Sequence, residues 1–124
     1  MRHIRTVLLM AISAMSAGCV APGLYQWGGY EHALYASYKD PTKVENLKQT
    51  LEAHIAATEQ GKQVVAPGLY AELGTLYLES GDLEKAKTFY GRERDAWPES
   101  AVLMTSLIET LERRQQAGTR GAPK

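Results

Sequence analysis

The segment from Pro67 to Pro98 constrains this chain most, because its apolar residues recur at intervals that a helix places on one face. Tyr70, Leu73, Tyr77 and Leu78 form one stripe, with Gly74 inside it. Gly81 and Asp82 interrupt the pattern, and a second stripe runs through Ala86, Phe89, Tyr90 and Trp97 until Pro98 stops it. Asp82 is placed to cap that second helix. Helices this short are marginal alone, so each must bury its stripe on the other and on neighbours. Gly74 and Ala86 let the two backbones approach, and the large side chains fill the space between them.

The same periodicity continues on both sides. Tyr30, Ala33, Leu34 and Tyr38 predict a short helix over 30–38. Val44, Leu47, Leu51 and Ile55 trace a face at 3-4-4 spacing that Gly61 ends, and residues 62–66 form a connection. Two caps fit the start of that second helix: Asp40 with Pro41 at the first position, or Thr42 with Glu45 as a capping box. A fifth helix is predicted from about Glu99 to Gln116, with Leu103, Leu107, Ile108 and Leu111 on one face. Residues 117–124 are small, polar or helix-breaking and are expected to form a flexible tail. No strand-like alternation extends beyond a few residues. The chain of 124 residues has room for one domain. The expected fold class is all-α, with about five helices in antiparallel hairpins over 30–116.

Residues 67–100 resemble the tetratricopeptide repeat, a helical hairpin of about 34 residues. Tyr70, Leu73, Gly74, Tyr77, Ala86, Tyr90 and Pro98 fall at the offsets of that pattern, with Gly81 at the turn. Glu93 departs from it, since a small residue is preferred there, and looser packing is expected around it. An ordinary helical hairpin without repeat ancestry is the alternative. The hairpin over about 30–60 has a similar layout without the consensus, and the fifth helix stands where a capping helix would follow. Three units are normally wanted for independent stability. A chain this short must therefore close its ends with atypical side chains or against a partner.

The N-terminus has the three parts of an export signal. Arg2, His3 and Arg5 precede an apolar stretch from Val7 to Met15, shorter than the roughly 20 residues of a membrane span. Ser16, Ala17, Gly18 and Cys19 then resemble a lipobox, with Ser16 where leucine is usual. The resemblance implies a signal peptide over 1–18, cut before Cys19, and a sulfur carrying acyl chains such as palmitate. Cys19 is the only cysteine, so an internal disulfide is impossible. Several acyl chains would hold the protein firmly on a membrane. Val20 in place of aspartate implies the outer membrane, facing the periplasm. Residues 19–29, with Pro22, Gly23, Gly28 and Gly29, read as anchor and short linker, and nine extended residues reach at most about 30 Å.

The run Tyr25-Gln26-Trp27-Gly28-Gly29-Tyr30-Glu31, followed by Leu34-Tyr35 and Tyr38-Lys39-Asp40-Pro41, is the most distinctive in the chain. It resembles an uncharacterised bacterial lipoprotein family with a Tyr-Xaa-Trp-Gly-Gly-Tyr-Glu opening. Members of that family are often encoded beside a lipoprotein similar to the curli-secretion channel. The resemblance implies an accessory factor in an envelope assembly, with such a lipoprotein as a candidate partner. Tyr25, Trp27, Tyr30, Tyr35 and Tyr38 either cap the first hairpin or form an exposed aromatic platform, since Tyr and Trp are favoured in interfaces.

Catalytic chemistry is not indicated. His32 and His54 are far apart and in no zinc-ligand spacing, and His54 reads as part of a solvated helix face. No phosphate loop, nucleophile elbow or Cys-His pair occurs. Glu109 and Glu112 stand beside Arg113 and Arg114, which reads as surface ion pairing. The formal net charge is zero, and losing Arg2 and Arg5 with the signal leaves the rest about two charges negative. That balance offers no surface for nucleic acid or anionic lipid. The expectation is a non-enzymatic, cofactor-free adaptor without metal or small-molecule substrate, held to a membrane and binding another envelope protein. An oligomerising subunit of an outer-membrane channel complex is the alternative. A glycan-binding module stacking Trp27 on sugars ranks third.

Overall fold

The computed structural model describes residues 23–120, with side chains through Gly118; the expected signal segment, Cys19 and residues 121–124 lie outside it. The described residues form five α-helices and no strand. They are α1 (Tyr30–Lys39), α2 (Val44–Gln60), α3 (Leu69–Glu79), α4 (Leu83–Ala96) and α5 (Ala101–Arg120). Short 3-10 turns at Pro41–Lys43 and Pro98–Ser100 join α1 to α2 and α4 to α5. Each helix packs on the next, and the short connections make successive helices antiparallel. The all-α expectation holds.

Two helix ends differ from the periodic reading. Asp40 accepts from the Thr42 amide at 3.0 Å and its hydroxyl at 2.6 Å, so it caps the 3-10 turn rather than α2 itself. Pro41 is the first residue of that turn, and α2 begins only at Val44. At the other end, α5 continues past Gln116 to Arg120. The Gln115 amide donates to Glu84 at 2.8 Å and its oxygen accepts from Lys87 at 2.8 Å. Tied to α4 at that point, the helix propagates through small and polar residues that favour fraying on their own.

The core is built from Leu47, Leu51 and Ile55 of α2, Leu69, Leu73 and Leu76 of α3, and Ala86 and Tyr90 of α4. The closest approach is where α3 crosses α4. A Cβ on Gly74 would meet the Tyr90 ring at 2.8 Å and the Ala86 carbonyl at 3.2 Å, so only glycine allows this spacing. Tyr90 is buried, and its hydroxyl pairs with Thr75 at 3.1 Å. Beside it Tyr77 stacks on Phe89 with centroids 5.6 Å apart. Gly81 turns the chain between the helices at φ 86°, in the left-handed region that glycine enters without strain.

On α5 the buried stripe is Met104, Leu107, Ile108 and Leu111, an i, i+3, i+4, i+7 set. Leu103, expected on this face, lies one residue out of phase and is 60% exposed. Glu93 corrects a second expectation. Instead of marking a loose site, it is fully buried, and its Oε1 accepts from the Gly68 amide at 2.8 Å and from the Ser100 hydroxyl at 3.2 Å. Gly68 starts α3 at φ 90° with no side-chain cap of its own. The acid on α4 therefore supplies, across the interface, the acceptor that a local cap would have given.

A second polar link joins three helices. The Tyr70 hydroxyl donates to Glu59 of α2 at 2.5 Å, and Arg92 of α4 pairs with the same carboxylate. The Arg92 guanidinium also lies over the Tyr70 ring, 4.6 Å from its centre. Burial first, then the adjacent Glu59 carboxylate, pushes the Tyr70 hydroxyl up to about 12.

Candidate partner-binding surface

The aromatic motif lies along α2 and enters α1. A Cβ on Gly28 would meet the His54 ring at 2.7 Å, and one on Gly29 would touch the Thr50 methyl at 3.6 Å. Gly28 also has φ 55°, so both its conformation and its contact require glycine. This corrects the reading of His54 as solvated. It is half-buried beneath Gly28, and its Nε2 is shielded from solvent.

The five aromatic candidates separate into two groups. Tyr25 is half-buried and meets Trp97 edge-on, with centroids 6.0 Å apart and planes at 81°. Tyr30 is also half-buried against the core. These two close the first hairpin and join it to the end of α4. Trp27 stacks on Tyr30 at 6.4 Å but remains 39% exposed. Tyr35 is 61% exposed, with the Lys39 ammonium 4.7 Å above its ring, and Tyr38 is 82% exposed. One motif thus holds both half-buried and exposed rings.

The structure brings Tyr70, Leu73, Gly74, Tyr77, Ala86 and Tyr90 into the interior, so they shape the scaffold and touch no surface ligand. Gly81 occupies the turn, and Pro98 opens the exposed 3-10 turn after α4. Three features lay beyond sequence reasoning. Trp97 matters because it receives Tyr25, which periodicity cannot foresee. Lys62 and Val64, in an apparent connection, border a cavity of about 640 Å³ that Leu24, Tyr25 and Trp97 also line. Glu72 is the third.

Glu72 is half-buried on α3, and burial first, then the Glu79 charge, raises its carboxyl above the ordinary 4.5. It also helps raise the Tyr30 hydroxyl, after burial, which places its charge near the aromatic motif. A carboxyl whose pKa rises on folding contributes stability below its unfolded value and loses that contribution as pH rises through the folded value. At neutral pH the Glu72 charge is therefore a cost. Glu72→Gln is expected to stabilise the fold at pH 7 by about 0.5 kcal/mol after solvent screening. That gain should vanish below about pH 4, where the native side chain is neutral too. Urea melts of both proteins at the two pH values measure it.

Among the described residues no group of three His, Cys, Asp or Glu side chains comes together as a metal site. No described helix is long and apolar enough to cross a membrane. Glu72 acts on the half-buried Tyr30, and Trp27, Tyr35 and Tyr38 of the same motif stay exposed. No curated protein and no solved structure matches the chain. Residues 24–107 match one family profile, covering both the aromatic motif and the central hairpin, and the chain belongs to that family, described as Domain of unknown function (DUF4810).

Proposed function

We propose that this protein is a lipid-anchored helical adaptor that faces the periplasm from the outer membrane and holds another envelope protein through its aromatic surface. One observation carries the reading: Trp27, Tyr35 and Tyr38 stay exposed while Tyr25 and Tyr30 do the capping. An exposed Tyr at 82% stabilises no fold, and rigid amphipathic rings are favoured anchors in protein interfaces. Glu72 adds a charge whose burial cost a cationic group on a partner would relieve. The partner we favour is a lipoprotein similar to the curli-secretion channel, engaged by the aromatic edge and the groove of the tetratricopeptide-like hairpins. No enzyme activity is proposed.

Gentle crosslinking of envelopes and affinity purification test the reading. A defined partner should be recovered with the wild-type chain and lost with Trp27→Ala, Tyr38→Ala; recovery by both would move the contact elsewhere. The anchor has a separate test. Cys19→Ser should shift the chain from the membrane pellet to the soluble periplasmic fraction, and persistence in the pellet would contradict lipidation.

A second reading rests on α5. Val102 and Leu103 are 85% and 60% exposed side by side at its start, an apolar pair that could meet another subunit. On this reading the chain is an oligomerising part of a channel complex. A purified chain that stays monomeric by light scattering, alone and with the neighbouring lipoproteins, removes it.

A further inference from the structure

The cavity between the start of the described chain and the α2–α3 connection has an exposed aliphatic lip. Leu24 is 89% exposed and Val64 is 67% exposed, and both border the same cavity. Lys62 also borders it and is, among the described residues, the only charged side chain that does. Two largely exposed aliphatic side chains on the same cavity as one lysine make a poor solvent-facing edge. They fit a bilayer interface, where aliphatic groups enter the acyl boundary and a lysine reaches headgroup phosphate.

The length of chain before this lip decides what covers it. Leu24 lies five residues beyond Cys19, so it stands at most about 17 Å from the anchored sulfur. The headgroup layer alone is several ångströms thick on each side of the bilayer. A lip on so short a tether has the membrane surface within reach at all times, at a far higher effective concentration than any soluble partner.

We infer that the lip of Leu24, Val64 and Lys62 seats on the phospholipid surface to which the chain is tethered, closing the cavity against the bilayer. The inference rests on the lipid-anchor reading and adds an orientation to it. With the lip against lipid, the domain stands with a fixed end toward the membrane instead of swinging on its linker. One face is then reserved for lipid, and a protein partner meets the others. The weakly negative balance left once Arg2 and Arg5 are lost does not oppose this, because among the described residues the cavity is lined by one cation and no acid.

The test uses the full lipidated chain in vesicles of phosphatidylethanolamine and phosphatidylglycerol. Val64→Cys carries an environment-sensitive fluorophore, and Cys19, as a thioether, leaves that thiol as the single labelling site. Flotation with the vesicles reports the anchor; quenching by a headgroup-labelled phospholipid reports the lip. The expected result is flotation, blue-shifted emission and strong quenching, with most of the quenching lost when Leu24→Asp is added. Leu24 is so exposed that this change leaves the fold intact, which circular dichroism checks. Flotation without quenching, or quenching unchanged by Leu24→Asp, overturns the lip contact and leaves the anchor standing. Shielding that grows with protein density and ignores the lipid quencher overturns it in favour of a second copy. Failure to float overturns the anchor reading, and this inference with it.

Discussion

Truncating Tyr90 to alanine is expected to destabilise the fold by about 3–5 kcal/mol. That is a large part of the roughly 5–15 kcal/mol that holds a domain together. Tyr90 is 2% exposed, fills the crossing of α3 and α4, and closes against a backbone that only Gly74 allows. The urea midpoint should fall with an unchanged slope, as for a loss of stability without a change in mechanism. Tyr90→Phe keeps the ring and removes only the hydroxyl paired with Thr75, so about 1 kcal/mol is expected. Gly74→Ala tests the same contact from the other side. Alone it drives a methyl into the ring at 2.8 Å, and added to Tyr90→Ala it enters the vacated space. The two changes should therefore be strongly non-additive in a double-mutant cycle. Additive losses would mean that the crossing is not the contact described.

Glu93→Ala is expected to cost about 2–4 kcal/mol, and for a different reason. The change opens a small cavity, and it strips the Gly68 amide and the Ser100 hydroxyl of their shared acceptor. Each hydrogen bond lost costs about 0.5–1.5 kcal/mol. Glu93→Gln retains a carbonyl oxygen at the same reach and should cost about 1 kcal/mol. Amide hydrogen exchange gives the most specific readout. Protection of the Gly68 amide should be lost in Glu93→Ala and largely kept in Glu93→Gln. Equal protection in both would show that α3 finds its starting cap elsewhere.

These two residues also show what the sequence could and could not reveal. Tyr90, Gly74 and Ala86 were legible because local spacing alone puts a large ring opposite two small residues, whatever surrounds the hairpin. Glu93 was misread because its partner, the Gly68 amide, lies 25 residues earlier and announces itself by no pattern. The same holds for Trp97, which is read as the end of a helical stripe until Tyr25 is seen against it. Helix identity follows from short-range periodicity, whereas helix ends depend on ties such as Gln115 to Glu84, made across the fold. For the aromatic motif, the sequence left capping and binding as rivals. Both residue sets contain tyrosine, and only the path of residues 24–29 along α2 separates the half-buried Tyr30 from the exposed Tyr38.

The measurement that tests the adaptor reading most directly is site-specific photocrosslinking in intact cells. A benzophenone side chain at Tyr38, where the native ring is 82% exposed, is compared with the same group at Glu109 on the exposed face of α5. The account predicts one discrete adduct from Tyr38 containing a second envelope protein, and none from Glu109. No adduct at Tyr38, or the same adducts from both positions, would contradict it.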